Sequence, residues 1–486
     1  MAGGEQETLW SPSFNGSIKV EARSDRLTCE AGALAIRDGL DRLGMVEWLA
    51  ERLRDRRKQA LVTHTLPELL RTSLVLLSQG WRDQDDADTF RDDPLLRLAV
   101  SDRRGASPLA NAGAGVPDGL ASQPTLSRMV DLLSSQDNRD VLRDGLLEGA
   151  ARRLRVEHDG QIPHCLTLDV DSLPVEVYGH QPGSEYNGHY HATVYHPLIA
   201  TLGELGDLVG VRLRAGNVHT ADGGLDFILG IADRAVDRLC RELWVRIDAG
   251  FPDNDTLCGL EARKIHYLSR VKNNAILNRM AEPYLARRAE VTGLEPQTWF
   301  VETSYRAGSW SRERRVVLVV QEVATEKGQT ELFTANHFWL ITDWSEKAMP
   351  AQALLDLYRQ RGNAEGRFGE LMNVLRPALS SSPRTKTEYQ GKPTQHNKVP
   401  CDAFAHNEVL LLLNALAYNA VHTLRVLLEQ ETREGWSLIR VRQTVLRIAA
   451  RVIVHGRQVV VVIARTFAGL WSALTARLMT FRYVGN

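Results

Sequence analysis

Three side chains suited to phosphate and metal chemistry lie at helical spacing in the last third of the chain. Tyr358, Arg361 and Glu365 are three and four residues apart, and Leu354 continues the series towards the N-terminus. Residues at these intervals share one face of an α-helix. A guanidinium binds phosphate through paired hydrogen bonds, and a carboxylate binds divalent cations. The alternative interpretation is an amphipathic helix with a solvated charged face.

Further carboxylates lie on two predicted strands upstream. Asp169 and Asp171 are two residues apart in the alternating segment 166–174, so both point to the same face of a strand. Two carboxylates on one face repel each other unless a cation lies between them. Asp248 follows a second apolar segment, 243–247, in an Asp-x-Gly turn. These ligands are hard oxygens, which favours magnesium over zinc.

Histidine and cysteine give weaker signals. His189 and His191 could form a metal pair, but no third ligand follows at a suitable spacing, so polar contacts of a loop are the favoured interpretation. No two cysteines have the CxxC spacing of a zinc site, and their scattered positions fit a reducing cytoplasm. The cysteines are Cys29, Cys165, Cys240, Cys258 and Cys401.

The predicted elements between the carboxylates explain how these residues meet. Three strands, a helix and a fourth strand are predicted at 166–174, 193–202, 208–214, 221–239 and 243–251. A mixed sheet with its first and fourth strands side by side brings Asp171 and Asp248 together, and the helix of Glu365 can pack over that edge. This arrangement is a ribonuclease-H-like α/β fold, whose chemistry uses three carboxylates around two divalent metals.

The organisation predicted for the whole chain places this core between two flanking regions. Residues 1–30 are expected to be poorly ordered, 31–160 helical with possible DNA-end binding, 161–274 the first part of the core, 275–349 a mostly β insertion that forms its own subdomain, 350–378 the core helix with Glu365, and 379–486 a basic C-terminal region. The segments 101–122 and 380–392 read as loops. The helices before residue 140 also fit a bundle without DNA contacts.

Four of the ten tryptophans lie in the predicted insertion. Core packing is their default role, and base stacking is the alternative for one or two of them. They are Trp299, Trp310, Trp339 and Trp344.

Composition excludes several classes of protein. At 486 residues, with 43% hydrophobic and 24% charged residues and a net charge of −1, the chain has no global basicity. From Thr432 onwards, however, the sequence contains nine arginines and one acidic residue, Glu434. This local excess of positive charge fits either contact with phosphate groups or a solvated surface. The N-terminus lacks an apolar signal segment, and the apolar run 459–463 is too short to cross a bilayer. We therefore expect a cytoplasmic protein without a membrane partner.

The ordered set of motifs resembles the DDE transposases of bacterial insertion sequences, and within them the branch typified by insertion sequence 1380. The set comprises Asp-x-Asp-Ser at 169–172, Ile-Asp-Ala-Gly-Phe at 247–251 and Tyr-x2-Arg-x3-Glu at 358–365. The resemblance runs from about residue 25 to the end. The branch is suggested by further motifs at 179–181, 186–190, 216–220, 376–383 and 414–419.

This resemblance implies a catalytic triad of Asp171, Asp248 and Glu365 that binds two Mg²⁺ ions, with Mn²⁺ as a possible substitute. Asp171 is preferred over Asp169 as the first ligand because the Asp-Ser pair of the family pattern falls there. The helix signature implies that Tyr358 and Arg361 bind a DNA phosphate.

The implied activity is cleavage and strand transfer of DNA. The partners would be the terminal inverted repeats of the element and a target duplex, bound by a homodimer that assembles on DNA.

Two departures from the family pattern leave alternatives open. The family usually carries lysine seven residues after the glutamate, where this chain has Met372, and threonine where it has Leu173. A catalytically impaired transposase that binds element ends as a repressor is one alternative. A metal nuclease of the same fold without strand transfer is the other. A scaffold protein is least favoured because it gives the carboxylates no reason to converge.

Overall fold

The chain was examined as a computed structural model, which describes residues 7–103, 107–109, 119–177, 181–286, 295–324, 333–380, 388–389, 392–393, 403–456 and 458–484. It divides into two compact units. The terminal unit comprises Met1–Ala50, Asp55–Met129 and Thr423–Arg482, and the sheet unit comprises Glu51–Arg54, Val130–His422 and Tyr483–Asn486. The two ends of the chain, which the sequence suggests are separate flanking regions, therefore contribute to one unit.

The N-terminal part begins with short strands and continues with helices. These elements are β1 (Glu7–Trp10), β2 (Val20–Ala22), β3 (Arg26–Thr28), α1 (Ala33–Leu43), α2 (Met45–Arg52), α3 (Leu66–Gln79), α4 (Asp86–Thr89), α5 (Pro94–Val100), α6 (Gln123–Leu133) and α7 (Gln136–Glu157). The three strands correct the prediction that residues 1–30 are poorly ordered. β3 is held by pairing with a strand from the C-terminal part, which local sequence patterns do not indicate. Helices α1–α7 lie within residues 31–160. Most of the predicted loop 101–122 lies outside the described residues.

The middle of the chain supplies most of the strands. They are β4 (Cys165–Ser172), β5 (Val175–Glu176), β6 (Glu185–Asn187), β7 (Ala192–Tyr195), β8 (Leu198–Leu202), β9 (Leu208–Arg212), β10 (Glu242–Ile247), β11 (Tyr267–Val271), β12 (Thr298–Tyr305), β13 (Arg314–Ala324) and β14 (Phe333–Thr342). The helices between and after them are α8 (Gly224–Ala235), α9 (Asn254–Ala262), α10 (Ala275–Ala281), α11 (Ala351–Arg359) and α12 (Arg361–Glu370), followed by a π-helical turn at Leu371–Leu375.

Eight of these strands form one mixed sheet in the order β12-β13-β14-β11-β10-β4-β8-β9. β10 runs parallel to β4 and to β11, and the remaining neighbours are antiparallel. The predicted pairing of the first and fourth core strands is confirmed, since β4 and β10 are adjacent over six residue pairs. Alternate residues of the sheet face opposite sides. One side packs on α7, α8 and α9, and the other packs on α11.

The predicted β insertion is not a separate subdomain. Its strand β14 pairs with β11, so β12–β14 extend the main sheet. Val316 and Ile341 of these strands belong to the same apolar core as Leu168 and Val245 of the central strands. Without β14, the outer edge of β11 would expose unpaired backbone groups.

The insertion tryptophans pack in the protein interior. Trp310, Trp339 and Trp344 are buried, whereas Trp299 is partly buried and donates its indole N–H to the Tyr284 carbonyl oxygen at 2.9 Å. These positions support core packing. The three buried rings are not accessible for stacking on DNA bases.

The C-terminal part begins with the hairpin strands β15 (Glu388–Tyr389) and β16 (Lys392–Pro393), then α13 (Ala403–Thr432) and α14 (Leu438–Val441), and ends with β17 (Ala450–His455), β18 (Gln458–Ile463) and α15 (Ala468–Thr480). β17 and β18 pair as antiparallel neighbours from Ala450–Ile463 to His455–Gln458. Most of the predicted loop 380–392 lies outside the described residues. By length and composition, α13 is the one helix of the described chain that could cross a membrane, and 83% of its apolar window is buried inside the protein.

Candidate active site

The two strand carboxylates meet at one edge of the central sheet. Asp171 lies near the carboxyl end of β4, and Asp248 directly follows the carboxyl end of β10. Because these strands are parallel neighbours, their carboxyl ends lie side by side. The Asp248 carbonyl oxygen accepts a hydrogen bond from the Ser269 hydroxyl of β11 at 3.1 Å, which holds the turn after β10 against the next strand.

Arg361 connects the helix carboxylate to the strand carboxylate. Its Nη2 donates to Oδ2 of Asp171 at 2.6 Å, and its Nη1 donates to Oε1 of Glu365, one helical turn further along α12. The guanidinium is largely buried, whereas the Glu365 side chain is 58% exposed. The structure therefore brings Asp171, Arg361 and Glu365 into one contiguous charged cluster.

Asp248 joins this cluster through a shared cavity of about 290 Å³. Glu365, Arg361 and Tyr358 line the same cavity. The charge of Asp248 also acts on the titration of both Asp171 and Arg361, which shows that the groups lie within electrostatic reach. Five of the six residues predicted from the helix signature and the two strands thus lie together, and Asp169 is the exception.

The environment shifts the titration of two groups at the site. Burial raises the pKa of Asp171 to about 6, against the opposing effect of Arg361, and the charges of Asp248 and Glu365 raise it further. Burial also raises the pKa of Tyr358 to about 12. Tyr358 is therefore a neutral phenol at physiological pH and can donate a hydrogen bond to an anion.

The family model described as "Transposase DDE domain group 1" matches residues 10–480. The chain belongs to this family of DDE transposases. A solved structure described as the cryo-EM structure of the piggyBac transposase synaptic complex with hairpin DNA is similar at 9% identity and a TM-score of 0.40, over 87% of this chain and 81% of that chain. No curated protein matches the sequence.

In this transposase, Asp169 has a different environment from Asp171. Both of its carboxylate oxygens accept hydrogen bonds from Arg246 of β10, at 2.5 and 2.7 Å, and it is buried away from solvent. The alternation of the strand does place the two aspartates on one face, as predicted. Asp169 is therefore enclosed in an ion pair inside the sheet, whereas the Asp171 side chain is partly exposed, and Asp169 stays the second choice for the first ligand.

The helix that carries the signature is interrupted. α11 ends at Arg359 and α12 begins at Arg361, so the single predicted helix is two helices with Gln360 at the junction. The backbone of Gln360 stays in the right-handed helical region, which keeps Tyr358, Arg361 and Glu365 facing the same cavity. Three glycines in α12 lower its helical propensity, which accounts for a break that apolar periodicity does not predict.

Sequence reasoning missed several residues that line the cavity of the transposase. Arg270 of β11 lies with its guanidinium 4.6 Å from the ring centre of Phe338 of β14. Gln321 and Arg359 complete this wall. Alternation along β11 would have placed Arg270 on one face of the sheet, but only the β11–β14 pairing shows that this face continues to Phe338.

The other candidate ligands do not form a site. His189 and His191 are exposed, and His191 approaches the Tyr186 hydroxyl at 3.5 Å, which agrees with loop polar contacts. Within the described ranges, no group of three or more histidine, cysteine, aspartate or glutamate side chains is arranged to hold a metal ion as it stands. At the carboxylate cluster, the Arg361 guanidinium lies between two of the acids.

Of the motifs that suggested the branch of the family, residues 179, 180 and 381–383 lie outside the described residues.

Proposed function

We propose that this transposase cleaves the ends of its own insertion sequence and transfers them to target DNA, with Asp171, Asp248 and Glu365 as metal ligands. The observation that carries the proposal is the meeting of Asp171 and Asp248 at adjacent strand ends, where Arg361 joins Asp171 to Glu365. The strand order β9-β8-β4-β10-β11 supports a ribonuclease-H-like core, which β12–β14 extend.

The residues at the site fit divalent metal ions, which we propose to be two Mg²⁺ ions, with Mn²⁺ as a substitute. The three donors are carboxylate oxygens, the ligand type that Mg²⁺ prefers. Burial raises the pKa of Asp171 to about 6 despite the nearby Arg361, so an added cation would stabilise the charged form of this carboxylate. When bound, such ions supply an activated oxygen nucleophile and stabilise the leaving oxygen of a phosphodiester.

Arg361 and Tyr358 are proposed to hold the DNA phosphate. If Asp171 and Glu365 bound metal, their oxygens would no longer be occupied by Arg361 alone. The planar guanidinium of Arg361 could then form paired hydrogen bonds with a phosphate. Tyr358 keeps its proton because its pKa is raised to about 12, so its hydroxyl can donate to the same or a neighbouring phosphate. Arg270 lines the same cavity and adds a third donor.

The proposed partners are the double-stranded terminal inverted repeats of the element and a target duplex. We propose that two copies of the chain assemble on these ends, in the bacterial cytoplasm. The helices before residue 140 and the arginine-rich C-terminal region are both candidates for reading the ends.

Met372 motivates the repressor alternative. It lies half-buried in the π-helical turn after α12 and cannot supply the cation that the family carries at this position. Arg270 and Arg359 line the cavity, however, so the site has cations from other elements. This supply of positive charge supports an active enzyme over a repressor.

The test is cleavage of duplex DNA that carries the element's own ends, with Mg²⁺ or with EDTA. The Glu365→Gln variant removes a proposed ligand with little change in volume. Asp356→Asn is the matched control, because Asp356 is an exposed acid on α11 outside the cavity. We expect Mg²⁺-dependent cleavage by the wild type and by Asp356→Asn, and none by Glu365→Gln, with DNA binding retained in all three.

Joining of a pre-cut element end to a target plasmid separates the remaining classes. Cleavage with joining supports a transposase, and cleavage without joining supports the nuclease alternative. DNA binding without cleavage under Mg²⁺ or Mn²⁺ would support the repressor alternative, and Met372→Lys would then be the variant in which activity should return.

A further inference from the structure

An ion pair is buried at the centre of the sheet, directly behind the carboxylate cluster. Arg246 Nε donates to Oδ1 of Asp169 at 2.5 Å, and Arg246 Nη2 donates to Oδ2 at 2.7 Å. Both residues are 1% exposed. They face each other on the parallel strands β10 and β4, where their Cα atoms are register partners. The guanidinium therefore forms a two-pronged link between the two strands that carry Asp171 and Asp248.

The same guanidinium also reaches the helix layer. Arg246 Nη1 donates to the carbonyl oxygen of Leu357, the residue before Tyr358 in α11. Gly203, in the turn between β8 and β9, packs closely on the pair: a Cβ at this position would lie 3.0 Å from both Arg246 Nη2 and Asp169 Oδ2. The pair is therefore enclosed by three elements, and a larger residue at 203 would displace it.

The spacing along the chain gives this pair a direct connection to the site. Asp169 precedes Asp171 by two residues, Arg246 precedes Asp248 by two residues, and Leu357 precedes Arg361 by four. In a strand, residues two apart share a face and lie about 7 Å apart. One guanidinium thus connects the backbone segments that carry both strand ligands and the phosphate-binding helix.

We propose that Arg246 and Asp169 are positioning residues, which set the separation of Asp171, Asp248 and α11, the helix that leads into α12 with Glu365, and thereby the affinity for metal. This inference rests on the proposed function. The pair is not expected to be present for stability alone. Burying two charges in a sheet carries a desolvation penalty, and apolar residues at the same positions would avoid it. A bidentate arginine–carboxylate contact, by contrast, fixes distance and angle together.

The test compares three variants with the wild type. Arg246→Met with Asp169→Leu removes both charges and keeps apolar volume at the centre of the sheet. Arg246→Lys keeps the charge but cannot form the two-pronged contact. The control is Arg153→Met with Asp207→Leu, because this pair is also 1% exposed, also involves both carboxylate oxygens, and joins α7 to the β8–β9 turn without contacting the carboxylate cluster.

Three quantities are measured: unfolding by urea, Mn²⁺ binding without DNA by calorimetry, and the rate of end cleavage at saturating DNA. For Arg246→Met/Asp169→Leu we expect a folded protein with unchanged DNA affinity, at least tenfold weaker Mn²⁺ binding and at least a hundredfold slower cleavage. Arg246→Lys should show the same losses to a smaller degree. The control variant Arg153→Met/Asp207→Leu should change the free energy of unfolding without changing the affinity for Mn²⁺.

Two outcomes overturn the positioning role. One is wild-type Mn²⁺ affinity and cleavage rate in a folded Arg246→Met/Asp169→Leu variant. The other applies if that variant does not fold: wild-type affinity and rate in Arg246→Lys. Failure of the proposed function looks different, because the wild type itself would then show no metal-dependent cleavage, or Glu365→Gln would cleave normally.

Discussion

The guanidinium of Arg361 donates to the carboxylate of Asp171, with 2.6 Å between Nη2 and Oδ2, and the same group donates to Glu365. In the protein without metal, an internal cation thus compensates two of the three proposed ligands. The contact joins residues that are 190 positions apart. It implies that metal and arginine compete for the same carboxylate oxygens.

Replacing Arg361 should therefore strengthen metal binding in the absence of DNA. For Arg361→Gln we expect several-fold tighter Mn²⁺ binding by calorimetry, because the competing cation is gone. The same variant should bind DNA more weakly, and the slope of log affinity against log salt should become shallower by about one. Arg359→Gln is the control, since Arg359 lines the cavity but its guanidinium lies 3.7 Å from Asp356. Weaker Mn²⁺ binding by Arg361→Gln would show that the arginine supports the ligands instead of competing for them.

The raised pKa of Asp171 predicts a stability cost at neutral pH. Its pKa is about 6 in the folded protein against 3.8 ordinarily, so between these values the folded state holds more protons than the unfolded state. The free energy of unfolding must then fall as the pH rises from about 4 to 6, and the loss persists at higher pH.

Asp171→Asn removes this cost. In EDTA at pH 7.5 we expect the variant to be more stable than the wild type by about 1–3 kcal/mol in urea unfolding, and the difference should vanish at pH 4. Addition of Mg²⁺ should restore stability to the wild type and not to the variant. A variant less stable than the wild type at pH 7.5 would mean that the contact with Arg361 outweighs the burial of the carboxylate.

Arg270, which lines the same cavity as Arg361, is expected to bind a DNA phosphate. Arg270→Ala should weaken binding of element-end DNA and make the salt slope shallower by about one, without a change in stability, because the side chain is exposed. Arg241→Ala is the control: Arg241 is also exposed, but it lies before β10, at the end of the strand away from Asp248. An unchanged slope in Arg270→Ala would remove this residue from the phosphate contacts.

The parts of the site that could be predicted from sequence are those with a local pattern. Alternation placed Asp169 and Asp171 on one strand face, and helical spacing placed Tyr358, Arg361 and Glu365 together. The pairing of β4 with β10 followed from the order of strands and helix. The two placements on a strand face and a helix face need only the period of a strand or a helix, and the pairing needs the order of the elements as well.

The parts that sequence could not supply depend on which element neighbours which. Alternation identifies β12–β14 as strands but does not show that β14 pairs with β11, so the insertion was predicted as a separate subdomain. A lone arginine at position 246 in an apolar strand gives no sign of its partner. Strand alternation alone does not distinguish the aspartates at 169 and 171, and only the resemblance to the family pattern favoured Asp171. The structure separates them because Asp169 is buried against Arg246 inside the sheet, whereas Asp171 is partly exposed and contacts Arg361.

Asn419 provides a last test, which concerns the edge of the sheet. Its side chain accepts from the Leu208 amide at 2.9 Å and donates to the Leu208 carbonyl at 2.8 Å, so the α13 side chain pairs with β9 as a neighbouring strand would. Asn419→Ala leaves both buried backbone groups unpaired, and we expect a loss of about 2–4 kcal/mol in urea unfolding.

Asn414→Ala is the matched control, because Asn414 belongs to the same sequence motif, 414–419. Asn414 donates to the Leu410 carbonyl of its own helix at 2.9 Å, so its replacement should cost about 1 kcal/mol or less. Cleavage by both variants should match the wild type at a temperature where both are folded. Normal stability with lost cleavage in Asn419→Ala would assign this asparagine to DNA instead of the sheet edge. The expected result assigns part of the motif to the edge of β9, outside the catalytic chemistry.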